Sequence, residues 1–587
     1  MESYHKKVLF SRMMDRLKSF KPVNWNDITD ALSVVKENAP PLEQFEEAEF
    51  FEKVRKGIGF WTFDFGIDGV SIEISKYAQC LQDILSNAEK ASIHLIAGDF
   101  HSQADSVIKP EWHRFHIPRV NGWLKWDNGV WFDKLFYRDM PEGSPESDEV
   151  AVAIWNQALG LAEKLGAYIA EKDISLLIPV NVNSNPGNLA TGICTVLVSE
   201  LMGIYVINSN HDFYWEGGKP ASQKKIGEAS GPRDKFFRNI ANRPFFAMFE
   251  KIYPWNGKRW LQVNINKSQL NTLVEKLGFP KDRVFEISTS VSEEFFKKYT
   301  NDEIKSVRFR MAHILSDGKP MINPIAVNLH LEKLKNWMSN QKPLVCANRD
   351  GLVLDLTSDR IFYFLQPTRI IDRKRIEKDL HLIAALLKHP AFRCEFERNT
   401  ERQIVLHITG PAPIEHQADL ETVLKAYVNV LSEVPGSMAD RIFLAFSVGA
   451  EEHVCFLEKG FKSLCIEDIY RLATAIVFPS QTEGRGLPII ESCAAGVPII
   501  CSRYQPEQIF ADVVGESLAE EQQIQYILFP EEDFSESFLS ELTDLLLYPE
   551  KWAELQEHNI KATRQRYSQK VMNDTFRKFL MELTNIK

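Results

Sequence analysis

Residues 483–498 read EGRGLPIIESCAAGVP, with Glu483 and Glu491 eight positions apart around a helix start. The stretch follows the strand-like run AIVFPS (475–480) and enters a helix at Leu487–Pro488. Proline suits the first helical turn, where its missing N–H costs nothing. Backbone amides at such a start, reached through glycines that admit close approach, form an anion site suited to a diphosphate. A carboxylate can accept two hydroxyl hydrogen bonds at once, as from the vicinal diol of a ribose or hexose. The plainer alternative makes Glu483 a helix-dipole cap and Glu491 a surface residue. Against it, Glu491 sits in LPIIESCAAGVPII, among apolar and small residues, where an unpartnered carboxylate is costly to bury.

Such a turn needs a sheet to carry it. With 587 residues the chain exceeds one ordinary core, so at least two domains are expected. Apolar strand-like runs occur at 58–65, 92–98, 174–180 and 204–208, and again at 360–366, 402–410, 441–447, 475–480 and 497–502. Helical patterns fall between most of them, for example Val70, Ile74, Tyr77, Ala78, Leu81 and Ile84. Strands alternating with amphipathic helices imply parallel sheets covered on both faces. Because the alternation appears twice, two doubly wound α/β domains facing a central cleft are expected. The boundaries read as a helical extension over 1–55, a first Rossmann-like domain over 56–295, a helical insertion near the hinge over 296–345, and a second Rossmann-like domain over 346–555. A closing helical segment covers 556–587.

In open α/β sheets, ligands bind outside the carboxyl ends of the strands. The loops at 66–70, 181–187, 209–218, 367–374 and 480–488 all come after strand candidates, and there the chemistry is sought.

Composition narrows the partners. The charge of −11 argues against a nucleic-acid backbone. Eight scattered cysteines with no CxxC pair argue against a metal site or a disulfide framework and fit a cytoplasmic location. The charged N-terminus lacks a signal-peptide core, and no run is long enough to cross a bilayer. Peripheral membrane contact and oligomeric state are left open.

The segment PSQTEGRGLPIIESCAAGVPII resembles the E-x7-E signature of retaining GT-B glycosyltransferases, glycosyltransferase family 4 in particular. The resemblance implies that Glu483 contacts the donor sugar and Glu491 the nucleotide ribose. The diphosphate would lie on the Arg485–Gly486–Leu487 backbone. Arg485 stands where an aromatic is commoner, and would either touch the phosphates or cover the cleft. LQPTRIIDRKRIEKDL resembles the family segment in which an Arg and a Lys five apart neutralise the leaving group, here Arg369 and Lys374. Departure of a nucleoside diphosphate develops negative charge, which fixed cations stabilise. Arg375 stands next, where the family has glycine. FGIDGV resembles the family's glycine-rich loop at Gly69 and Val70, with Asp68 replacing a glycine. His211 stands where the family often carries a histidine near the donor sugar, beside Asp212, Trp215 and Glu216.

The same resemblance implies a metal-independent hexosyl transfer. The donor is a UDP-, GDP- or ADP-linked sugar and the acceptor a hydroxyl on a soluble sugar, sugar phosphate or glycerate-type solute. Catalytic roles fall to His211, Arg369, Lys374 and Glu483. The acceptor side falls to Asp212, Trp215, Glu216, Asn183 and Asn185. Asparagines are also common in turns for backbone reasons, and Trp123, Trp126 and Trp131 suit either local packing or a sugar face. A glycosyl phosphorylase and a non-catalytic scaffold on the same fold are the alternatives. The chain has no Asp-x-Asp pair of the metal-holding glycosyltransferase class.

Overall fold

The computed structural model describes residues 2–586 except 67, 88, 123–128, 232, 317–330, 413–415 and 450. By internal packing the chain divides into two units. One comprises Met1–Thr289 with Lys570–Lys587, the other Ser290–Gln569.

In the first unit the strands are β1 (Ile58–Trp61), β2 (Asp64–Phe65), β3 (Ile93–Ala97), β4 (Asp99–Phe100), β5 (His113–His116), β6 (Leu176–Pro179), β7 (Tyr205–Asn210), β8 (Trp260–Asn264) and β9 (Val284–Glu286). Seven of them form a parallel sheet in the order β5-β3-β1-β6-β7-β8-β9, and β2 pairs β4 separately. The central strands are apolar and buried throughout, as a sheet covered on both faces requires. β5, HRFH, lies at the sheet edge and is mostly exposed, which is why no apolar run marks it.

The first fifty-odd residues form the helices Glu2–Ser19, Trp25–Glu37 and Glu47–Lys56. They are integral to the first unit, because Phe10, Met14, Trp25, Ile28 and Leu32 belong to its core. The last helix, Gln569–Thr584, places Phe576, Phe579 and Leu580 in the same core as Phe50 and Tyr77. Both ends of the sequence are thus packed into the first unit.

The second unit contains β10 (Leu344–Cys346), β11 (Ile361–Gln366), β12 (Gln403–Ile408), β13 (Ile442–Phe446), β14 (Ala475–Phe478), β15 (Ile499–Cys501) and β16 (Ile527–Leu528). Their order is β10-β13-β12-β11-β14-β15-β16, parallel except that β10 runs antiparallel to β13. From β11 the chain winds one way through β12 and β13, then crosses back to β14, so the order reverses between β11 and β14. Ligands of open sheets gather at such a reversal. The segment expected as an insertion supplies the helices Asn301–Ser316 and Leu331–Asn340, with 317–330 outside the described residues. No helix among the described residues is long and apolar enough to cross a membrane.

Candidate active site

The two loops leaving the reversal point carry most of the donor-side candidates. β11 runs into Arg369 and a short tight turn, Asp372–Lys374, and β14 runs into Ser480–Gly486. They are laced together: the Gln481 N–H donates to the Arg373 carbonyl at 2.8 Å, and the Arg373 guanidinium to the Thr482 carbonyl. Gly410, just past β12, lets a third loop press on the first. A Cβ there would lie 2.0 Å from the Thr368 carbonyl oxygen, so no other residue fits without moving backbone.

Lys374 and Glu483 meet directly. Both are buried, and the Lys374 ammonium donates to Glu483 Oε1. The Ser480 hydroxyl donates to the same oxygen, and Arg373 Nη1 lies 3.4 Å from Oε2. The Lys374 ammonium also sits 5.4 Å from the Phe478 ring centroid, which favours the cation. Burial pushes the Lys374 pKa below its ordinary value and Glu483 pushes it back up, while Arg373 and Arg369 push it down. The lysine is thus a desolvated cation with one carboxylate holding its charge. Arg369 is exposed and makes no ion pair among the described residues.

Arg375 takes a left-handed backbone, φ 51°, the conformation that glycine adopts most easily. Its guanidinium lies 2.6 Å from Glu531, and Lys378 donates to the Glu531 carbonyl at 2.7 Å. The departure from glycine therefore leaves the turn itself in a glycine-like geometry.

The helix Leu487–Ala495 starts after Gly486, whose φ of 74° turns the chain into it. The Tyr504 hydroxyl donates to the Arg485 carbonyl at 3.1 Å and stands where a Gly486 side chain would go. The loop after β15 braces this turn from the other side: Gln505 donates to the Gln481 carbonyl at 2.8 Å, and the Glu483 N–H donates to the Gln505 carbonyl at 2.9 Å. Among the described residues the N–H groups of Gly486 and Leu487 donate to no acceptor, and Pro488 has none. Two open amides at a helix start have a geometry that can hold an anion. Arg485 is half-buried beside them. Glu491 is half-buried and accepts from the Tyr470 hydroxyl at 2.8 Å, so its partner comes from a helix twenty-one residues upstream.

The first-unit candidates divide differently. The Asp68 carboxylate accepts from the Val70 and Ser71 N–H groups at 2.8 and 3.0 Å, capping the helix Gly69–Leu85. The Val70 amide is therefore committed to a carboxylate and closed to a phosphate. The donor role expected through the Val70 amide is thus closed, whereas the Gly69 N–H donates to no acceptor among the described residues.

Asn183 is fully buried, and its amide donates to the carbonyls of Gly192 and Ile252 at 3.1 and 3.2 Å. Asn185 is also buried. Trp215 stacks on Phe213 at 4.1 Å and packs against the core. Asn183 and Trp215 are thus taken up in holding the loops, whereas Asn185 Oδ1 is buried with no hydrogen-bond partner among the described residues. Trp131 likewise packs on the core, whereas Trp123 and Trp126 lie outside the described residues.

Asp212 is bridged to Asn181 at 3.0 Å and to Arg233 at 2.9 Å. The half-buried His211 ring lies edge-on to Tyr77, 6.5 Å between centroids. Glu216 accepts from the Phe213 N–H at 2.7 Å and from Gln269 at 3.0 Å. Burial nevertheless pushes its pKa up to about 7, with the Asp212 charge adding to the rise. A carboxyl raised in the fold stabilises below its unfolded value near 4.5, and that contribution is lost as pH rises through about 7. Wild type should therefore lose on the order of 2 kcal/mol between pH 5 and 8 relative to Glu216→Gln, read from urea midpoints. Parallel pH profiles for the two proteins would contradict it.

Sequence reasoning missed Arg373, Ser480, Tyr470 and Tyr504. Only Arg373 had a signal, as part of the basic run DRKR.

Residues 359–561 match the family described as glycosyl transferases group 1, a stretch that contains Arg369, Lys374, Glu483 and Glu491. Mannosylglucosylglycerate synthase of Petrotoga mobilis is 22% identical over 446 residues, 74% of this chain and 80% of that one. Among solved structures, a glycosyltransferase from Rickettsia africae superposes with a TM-score of 0.51 at 12% identity, covering 90% of this chain and 99% of the other. The structure has a GT-B fold of two Rossmann-like units, and the matches support a glycosyl transfer.

Proposed function

We propose that the chain is a retaining, metal-independent glycosyltransferase that moves a hexose from a nucleoside diphosphate sugar to a hydroxyl of a small soluble acceptor. The observation that carries this reading is the buried Lys374–Glu483 pair beside the open amides of Gly486 and Leu487, at the sheet's reversal point. The amides and Arg485 take the diphosphate, and Arg369 with Lys374 balances the charge that grows on it as the glycosidic bond breaks. Glu483 is assigned to the hexose hydroxyls and Glu491 to the ribose diol. His211, Asp212 and Glu216 of the first unit are assigned to hydroxyl recognition on the transferred sugar or the acceptor. With these cations in place, charge neutralisation calls for no divalent metal. A glycerate-type, sugar or sugar-phosphate acceptor is the favoured class, in keeping with the activity named for the Petrotoga relative. The eight free cysteines fit work in a reducing cytoplasm.

Calorimetry with UDP, GDP and ADP tests the donor site. One of them is expected to bind, and Glu491→Ala to weaken it about 10- to 100-fold, the loss of one or two hydrogen bonds to a charged group. Unchanged affinity for every nucleotide that the wild type binds would remove Glu491 from the site. Transfer in the presence of EDTA, with the product's anomeric configuration read by NMR, tests the absence of a metal and the retention together.

A further inference from the structure

The second unit also contains a grouping that the donor site does not use. His313 lies near the end of the helix Asn301–Ser316, and His453 and Cys455 flank the start of the short helix Val454–Glu458. One ligand atom from each lies within 4.8 Å of the other two, and all three residues are half-buried. Cys455 Sγ is 2.9 Å from His453 Nδ1, and the Cys455 N–H donates to the same nitrogen at 3.2 Å. An N–H can only donate, so Nδ1 accepts this bond, and a metal taken at Nδ1 would replace it. The His313 ring faces His453 at 5.5 Å between centroids, with Phe309 edge-on to His313 at 4.4 Å and Phe456 5.7 Å from His453.

We propose that His313, His453 and Cys455 form a divalent metal site of the zinc type, completed by a water. Bonds of about 2.3 Å to sulfur and about 2.0 Å to nitrogen put tetrahedral ligand atoms roughly 3.5 Å apart. The observed spacing reaches that by side-chain rotation, with the sulfur and Nδ1 moving slightly apart to admit the ion. One imidazole pair and one thiolate make a donor set that prefers zinc to magnesium or calcium. Binding replaces the thiol proton, which is released to solvent, with a sulfur–metal bond.

The backbone that carries these ligands is already fixed. Arg310, one turn before His313, donates to the carbonyls of Lys462 and Ser463 at 3.3 and 3.1 Å and to Asp468 at 3.0 Å. The ion would be a second fastening between the same helix and the same segment. A second grouping, Asp64, Asp99 and His101, lies in the first unit, where Asp64 accepts from Asn121 at 2.6 Å and Asp99 from the Phe100 N–H at 2.8 Å.

The test is titration of the EDTA-treated full chain, kept reduced with a phosphine, with Co²⁺. The expected result is sulfur-to-metal charge-transfer absorption saturating at one ion per chain and abolished by one equivalent of Zn²⁺. Cys455→Ser should lose the absorption, and His313→Gln should weaken Co²⁺ binding at least tenfold, with nucleotide binding unchanged in both. Should the serine variant fail to fold, the glutamine variant decides. Absence of the charge-transfer band, or its persistence in Cys455→Ser through another thiol such as the exposed Cys394, would overturn the site. So would unweakened binding in His313→Gln.

Discussion

Lys374→Met is expected to lower the rate of transfer by 10²- to 10³-fold and to destabilise the second unit by about 3–5 kcal/mol. The two losses have separate origins. The first follows from the proposed mechanism, in which a fixed cation is removed from the place where the departing diphosphate gathers charge. The second arises because Glu483, buried and bonded to Lys374, keeps its charge with only Ser480 and the more distant Arg373 to answer it. Adding Glu483→Gln separates them. The double variant should recover most of the stability, since a buried ion pair is worth little against a neutral pair, yet should not recover turnover. Denaturation curves and donor-hydrolysis rates on the single and double variants read the two quantities. A single variant as stable as wild type would mean that the pair is solvated in solution. A single variant with wild-type turnover would remove Lys374 from the reaction.

Gly486→Ala has the second-largest expected effect. At φ 74° a side chain costs about 1 kcal/mol, and the new methyl would lie 2.4 Å from the Tyr504 hydroxyl. Either the tyrosine leaves its bond to the Arg485 carbonyl or the turn shifts, and both displace the open amides. Nucleotide affinity should fall by 100-fold or more, about 3 kcal/mol. Tyr504→Phe removes the nearest clashing atom but leaves ring carbons at 2.9 and 3.0 Å and gives up the bond to the Arg485 carbonyl, so the double variant should regain only part of the affinity lost in Gly486→Ala. Calorimetry on the set decides, and wild-type affinity in Gly486→Ala would mean that these amides do not hold the ligand.

Much of this architecture is legible in the amino-acid order. The apolar strands of both sheets announce themselves because burial on two faces demands unbroken hydrophobic runs. β8, WLQVN, and the edge strand β5, HRFH, escape because polar residues interrupt that signal, and β9, β10 and β16 escape because two or three residues make no run. Glu483, Glu491 and Lys374 are readable because they sit in local patterns. Their partners are not: Lys374 and Glu483 are 109 residues apart, and Tyr470 reaches Glu491 from another element. The asparagines of 181–188 do lie at a strand end, but sequence cannot tell whether an amide faces a cleft or, like Asn183, two inward carbonyls. Asp68 shows the same limit, since its side chain takes the Val70 amide that the glycine pattern suggested was open.

Arg375 carries a consequence of its own. A glycine at that position would leave the unfolded chain, and a loosened loop, with many conformations to forfeit when a ligand arrives. Here a long side chain tethered to Glu531 holds the turn in one of them beforehand. The loss of conformational entropy is thereby taken in part during folding rather than during binding, so at the proposed donor site a phosphate would meet a turn already ordered and keep more of its interaction energy as affinity.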